Sequence, residues 1–87
     1  MLKGKTSTGF AFEISDERQN NYELLEAFGK LEENPALLPR TVEMLLGAKQ
    51  ASGLKDHVRA KSGIVPADKM MDELKEILES QNQLKKS

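Results

Sequence analysis

The strongest constraint on the fold is the spacing of apolar residues in segment 67–78. Apolar side chains recur there at the i, i+3, i+4, i+7 interval of an amphipathic helix: Ala67, Met70, Met71, Leu74, Ile77 and Leu78. The spacing predicts a final helix that buries one face. The chain is polar after Glu79, so we expect residues 81–87 to form a frayed tail.

Another helix, earlier in the chain, is predicted to begin near residue 20. Asp16 and Asn20 compete as its N-cap, because each is followed three residues later by an amide or acid that completes a capping box. Asn20 is preferred, since the apolar set Leu24, Leu25, Phe28 and Leu31 begins only beyond it. Pro35 ends this helix, because the residue before a proline avoids helical backbone angles.

Two more helices are predicted on either side of Gly47. Segment 37–46 carries an apolar stripe with Pro39 at a first helical position, and Gly47 is typical of a C-terminal stop. Residues 48–61 form the next helix, which Gly53 weakens by about 1 kcal/mol relative to alanine.

The N-terminal segment has the pattern of a β-hairpin. Phe10, Phe12 and Ile14 alternate with other residues at the period of a half-buried strand, and the preceding turn residues 6–9 allow residues 2–5 to pair with it. A lone hairpin is marginal in water, so its phenylalanine face must rest on the helices. We therefore predict a mainly α (α+β) fold over residues 1–80, with a hairpin at about 2–14 followed by about four short helices.

Length and composition argue against an enzyme. The chain has 87 residues and no cysteine, which leaves one small domain without thiol chemistry or disulfides. His57 is the only histidine, so we expect neither a catalytic base nor a metal site, and no cofactor. There is no signal-peptide pattern and no apolar run of membrane-spanning length, which predicts a cytoplasmic protein without a membrane partner.

Charge is unevenly distributed along a chain whose net charge is −1. Segment 16–34 has six acidic and two basic residues, whereas segment 35–65 has five basic and two acidic residues. Such asymmetry suits head-to-tail self-contact or a charged partner, although a solvated surface is equally compatible. The basic helix 48–61 leaves open a nucleic-acid-binding regulator, but the low net charge and the interruption at Asp56 argue against nucleic acid.

Six apolar residues are candidates for a surface that binds a partner. They are leucines and methionines of segments 37–46 and 67–78, and methionine is flexible enough to adapt to irregular partners. The alternative for each residue is a place in the core. The candidates are Leu37, Leu38, Met44, Leu45, Met70 and Met71.

Four segments, in order, resemble the small tail assembly chaperones of long-tailed bacteriophages and prophages. They are Gly-Phe-x-Phe-Glu-Ile (9–14), Asn-Tyr-Glu-Leu-Leu-Glu-Ala (21–27), Leu-Pro-Arg-x-Val-Glu-x-Leu-Leu-Gly (38–47) and Gly-x-Val-Pro-Ala (63–67), which precedes the final helix. The resemblance spans roughly residues 8–80, and its order and spacing carry it, because no single motif is diagnostic. The sequence departs from the family pattern at Gly53 and in the turn at 62–64.

The resemblance implies a non-enzymatic helical protein of the bacterial host cytoplasm. Such a chaperone coats the tape-measure protein until tail-tube subunits replace it, so the tape-measure protein, and then the tail-tube protein, are the implied partners. Members of the family self-associate, which implies a homo-oligomer. A structural subunit that stays in the finished particle is a further possibility.

Overall fold

A computed structural model describes the backbone of residues 1–86 and the side chains of residues 1–80. The predicted frayed tail, residues 81–87, lies outside the residues whose side chains are described.

The N-terminal hairpin forms as predicted. Strands β1 (Leu2–Lys5) and β2 (Ala11–Ile14) are antiparallel, and Gly4 lies opposite Phe12. Phe12 and Ile14 are buried while Ala11 and Glu13 are exposed, so the alternation read from the sequence defines the buried face. Gly4 is needed in this register, because a Cβ there would lie 2.7 Å from Cζ of Phe12.

Two short helices follow, and their caps differ from the predicted one. Helix α1 (Asp16–Gln19) is capped by Ser15, and helix α2 (Tyr22–Gly29) is capped by the side chain of Asn21. The prediction that Asn20 caps the main helix is wrong. Its backbone N–H donates to carbonyls of α1, so Asn20 ends α1. The N-cap of α2 is the following residue, Asn21.

Gly47 divides the long helix α3 (Leu38–Val58), which follows a 3-10 helix at Pro35–Leu37. Its φ of +83° and ψ of 161° are not helical, which confirms the predicted stop and leaves two helical halves, 38–46 and 48–58. At the break, Nη1 of Arg18 donates to the carbonyls of Glu43 (3.2 Å) and Met44 (2.9 Å). Carbonyls near the end of the first half thereby gain a partner.

The basic helix is shorter than predicted. Its predicted end at residue 61 is wrong, because α3 ends at Val58 and Arg59 has an extended backbone. Arg59 donates to the carbonyl of Gly63 (2.8 Å) and lies 3.2 Å from the carboxylate of Asp56, which fixes a turn where helix was expected.

Helix α4 (Ala67–Lys86) closes the core, and the fold class is confirmed as a hairpin with four helices in one globule. Buried side chains from the hairpin, α2, the segment after α2, α3 and α4 form one cluster, whose most deeply buried members are Ile14, Leu24, Leu31, Val42, Leu45, Leu54, Leu74 and Ile77.

Candidate functional site

The hairpin turn is bound to two glutamates of α4. Glu73 is only 3% exposed, and its carboxylate accepts hydrogen bonds from Oγ1 of Thr6 (2.9 Å) and Oγ1 of Thr8 (3.0 Å). One helical turn further on, Glu76 accepts from the backbone N–H and the hydroxyl of Ser7. A buried carboxylate is costly unless it is hydrogen-bonded, and here two threonine hydroxyls supply the bonds.

The same network includes His57. The Oγ1 atoms of Thr6 and Thr8 lie 3.1 Å apart, and each hydroxyl has one proton to donate. Nε2 of His57 lies 3.1 Å from Oγ1 of Thr8, and the tautomer of the imidazole decides which of these two atoms donates. The imidazole also packs on Phe10, with ring centroids 5.6 Å apart.

This hydroxyl clamp (Thr6, Thr8, His57 and Glu73) does not have the order of a catalytic triad. In a triad the imidazole takes the proton of the hydroxyl, and the carboxylate orients the imidazole. Here the threonine hydroxyls lie between the carboxylate of Glu73 and the imidazole, so the carboxylate does not orient His57. The arrangement joins the hairpin to α3 and α4, which is a structural task, and the non-enzymatic role remains a prediction.

A cleft of about 520 Å³ opens beside the clamp. This α3–α4 cleft is bounded by the end of α3, the loop 59–66 and the first turns of α4. Val58 and Pro66 contribute apolar surface. Charged residues of both signs also line the cleft: Arg59, Lys61, Lys69, Asp72 and Glu73.

The six predicted partner-binding residues divide into two groups. Leu38, Leu45 and Met70 lie in the core, with exposures of 8%, 0% and 7%, and present almost no surface in this conformation. Leu37, Met44 and Met71 are half-buried and pack against the core from outside. Only this second group is placed to touch a partner without rearrangement.

Two of the half-buried residues are brought together in one groove. The α2–α3 groove is lined by Ala27, Leu37 and Met44, and Met44 also lines a neighbouring cleft to which the exposed Tyr22 contributes. Charged side chains complete the walls of the groove: Glu23, Glu26, Lys30 and Arg40. Met71 lies on α4, outside this groove.

Two exposed apolar residues of α2, Tyr22 and Leu25, are not among the predicted partner-binding residues, although they are 72% and 58% exposed. Leu25 belongs to the apolar set predicted for this helix, but it does not share the buried side of Leu24. The helical period identifies it, because Leu24, Phe28 and Leu31 follow i, i+4, i+7 spacing, whereas Leu25 is rotated about 100° away from Leu24.

The described residues provide no cluster of side chains able to hold a metal ion. None of the described helices combines the length and the apolar character needed to cross a bilayer. In the basic segment 48–61, His57 contacts Thr8 and Arg59 is bound to its own loop.

Searches of known protein families, of characterised proteins and of solved structures found no match to this chain.

Proposed function

We propose that this chain is a tail assembly chaperone of a long-tailed phage or prophage, and that it binds the tape-measure protein in the bacterial cytoplasm before tail-tube subunits displace it. The ordered resemblance over residues 8–80 supports the proposal. A small body without an evident catalytic arrangement among its described side chains is compatible with a binding role.

The α2–α3 groove is the observation that carries the proposal. Met44 and Leu37 form a half-buried apolar floor, and Tyr22 lies exposed at its side. A groove with an apolar floor and charged walls suits the apolar face of an amphipathic helix. A tape-measure protein before assembly exposes long helices of this kind, and methionine adapts to the irregular surface of such a client.

The first experiment is to sequence the DNA downstream of the gene and to co-express the long, helix-rich protein that the proposal expects there. We expect that protein to remain soluble only when this chain is present. A neighbourhood without such a reading frame, or a client whose solubility does not depend on this chain, contradicts the proposal.

Two methionines provide a matched comparison for the groove. Met44→Gln removes apolar surface from the groove floor, whereas Met71→Gln makes the same change at a half-buried position on α4. We expect Met44→Gln to reduce the soluble client at least severalfold and Met71→Gln to leave it nearly unchanged. Equal losses of soluble client for the two variants would show that the client does not bind in the groove.

Two further measurements test the two alternatives. Retention on DNA that falls steeply with salt at near-physiological ionic strength would favour the nucleic-acid-binding regulator. Presence of the chain in purified virions would favour a structural subunit of the particle. The chaperone proposal expects neither result.

A further inference from the structure

Faces of two neighbouring helices form the walls of the α2–α3 groove. Residues three, four and seven positions apart lie on one side of a helix, and each wall of the groove is such a set. The α2 wall consists of Glu23, Glu26, Ala27 and Lys30, and the α3 wall consists of Leu37, which directly precedes the helix, Arg40 and Met44. The groove holds about 150 Å³, far less than a helix about 10–12 Å wide occupies, so a partner helix lies on it and inserts the side chains of one face.

The two walls run in opposite directions, which gives the groove two different ends. Met44 and Tyr22 line a common cleft, so the end of the α3 wall lies beside the start of α2. At the other end, Lys30 leads into the short connection to α3, where the N–H of Asn34 donates to the carbonyl of Lys30 (2.8 Å). Glu23 therefore lies at one end of the groove and Lys30 lies at the other, about two turns or about 10 Å away.

Charges of both signs border the groove and occupy different parts of it. Glu23 and Glu26 follow the α2 wall from its start, whereas Lys30 ends that wall and Arg40 lies on α3. All four side chains are exposed, and among the described residues none of them forms an ion pair. A helix on the groove therefore meets free negative charge along the first part of α2, and free positive charge at the end of α2 and on α3.

We infer that the α2–α3 groove selects a client helix whose apolar face is bordered by charges of both signs. Its basic residues lie over Glu23 and Glu26, and its acidic residues lie about two turns away, near Lys30. Arg40 attracts acidic residues on the other flank of the same helix. Opposite charges across an interface favour the matched partner, and like charges that face each other exclude mismatched ones. The order of charges in the client thereby sets the direction in which its helix lies along the groove.

This inference rests on the proposed function, because the client of the chaperone supplies the helix. It adds to that function a rule for which helices the groove accepts. The two can fail separately, because a groove that binds every amphipathic helix alike still serves a chaperone but does not select by charge.

Three synthetic amphipathic helices with the same leucine face are the probes. In the bipolar peptide, lysines border the first half of the leucine face and glutamates border the second half. The other two peptides carry only lysines or only glutamates at these positions. Isothermal titration of the full chain at low salt should show the bipolar peptide binding about three- to tenfold tighter than either uniform peptide, a modest preference because exposed ion pairs are individually weak. The preference should vanish at about 1 M salt, where charges act over only about 3 Å.

Two charge reversals in the groove should change which peptide binds best. Glu23→Lys with Glu26→Lys makes every charged side chain of the groove positive, so the all-glutamate peptide should bind best. Lys30→Glu with Arg40→Glu makes every one negative, so the all-lysine peptide should bind best.

Matched controls reverse exposed charges that do not line the groove. They are Glu33→Lys with Glu79→Lys, and Lys5→Glu with Lys75→Glu. Both controls should still prefer the bipolar peptide, although the net charge of the chain changes as much as in the groove variants. Met44→Gln should weaken the bipolar peptide at least severalfold and Met71→Gln should not, which locates the peptide in the groove.

Four results overturn the inference. Equal affinities of the three peptides for the unaltered chain exclude charge selection and leave the chaperone role intact. Groove variants that keep the original preference, or binding that Met44→Gln does not weaken, show that the peptide binds another surface. Absence of binding by all three peptides contradicts both this inference and the groove as the client site. A dimer of the chain alone that Met44→Gln dissociates shows that a second copy fills the groove.

Circular dichroism of each variant confirms that its helices are formed, so that a changed preference is not a loss of fold. The comparison of the three peptides on the unaltered chain needs no variant, and it decides the inference even where a charge reversal destabilises the protein.

Discussion

Thr6→Val should destabilise the protein by an amount that follows from the hydroxyl clamp. Valine has nearly the shape of threonine, so packing is kept and only the hydroxyl is lost. Thr6 is 4% exposed, and its Oγ1 both donates to Glu73 (2.9 Å) and accepts from the backbone N–H of Phe10 (3.1 Å). Water has little access to replace either bond.

The magnitude comes from these two bonds. A hydrogen bond to a charged group contributes about 1.5–3 kcal/mol, and a neutral one contributes about 1 kcal/mol. We therefore expect Thr6→Val to lower the free energy of unfolding by about 2–4 kcal/mol. For a domain of this size each kcal/mol moves the melting temperature by roughly 4–8 °C, so the fall should be roughly 10 °C or more.

Thr8→Val is the matched control. Thr8 also donates to Glu73, but it is exposed at the hairpin turn, where water can take the place of its hydroxyl. Its loss should cost about 1 kcal/mol or less. Urea and thermal unfolding followed by the helical circular dichroism signal measure both variants. Costs that agree within about 0.5 kcal/mol would refute the argument that the burial of Thr6 makes the difference.

Glycine substitutions supply further predictions for the same unfolding assay. Gly47→Ala should cost about 1–3 kcal/mol, because its φ and ψ lie in a region nearly restricted to glycine. Gly53→Ala in the same helix should raise the free energy of unfolding by about 0.5–1 kcal/mol, since its backbone is helical and a Cβ would come no closer than 4.0 Å to Phe10. Equal changes for Gly47→Ala and Gly53→Ala would contradict the break in α3. Gly4→Ala should cost about 1–3 kcal/mol, because the new Cβ would press on the buried ring of Phe12, and an unchanged stability would contradict the register of the hairpin.

Features with a local cause were predictable from the sequence. The hairpin follows from alternation over a few residues, α4 from a regular apolar period, and the break in α3 from a glycine after an apolar stripe. The predicted cap at Asn20 was wrong by one residue, because the place where α1 ends decides which asparagine is free to cap α2. Whether Asn20 or Asn21 caps α2 depends on the backbone conformation at the end of α1, and two adjacent asparagines give no sign of it in the sequence.

Features that join distant segments were not predictable. Nothing in the sequence around Glu73 marks this charged residue as buried, and its burial is explained by Thr6 and Thr8, which lie 67 and 65 residues away. The candidate surface was predicted in part for a similar reason. Met44 and Leu45 are neighbours in the chain, yet the rotation of about 100° between them places Leu45 in the core and Met44 in the groove.

The separation of the clamp residues has a consequence for the order of folding during synthesis. At about 5–20 residues per second, roughly 3–13 s pass between the synthesis of Thr6 and that of Glu73. A two-stranded hairpin has little stability of its own, and throughout that interval its turn residues lack their hydrogen-bond partners on α4. The hairpin is therefore made well before α4 and completes its contacts with that helix only afterwards, and slower translation of α4 prolongs the exposure of the hairpin's apolar face.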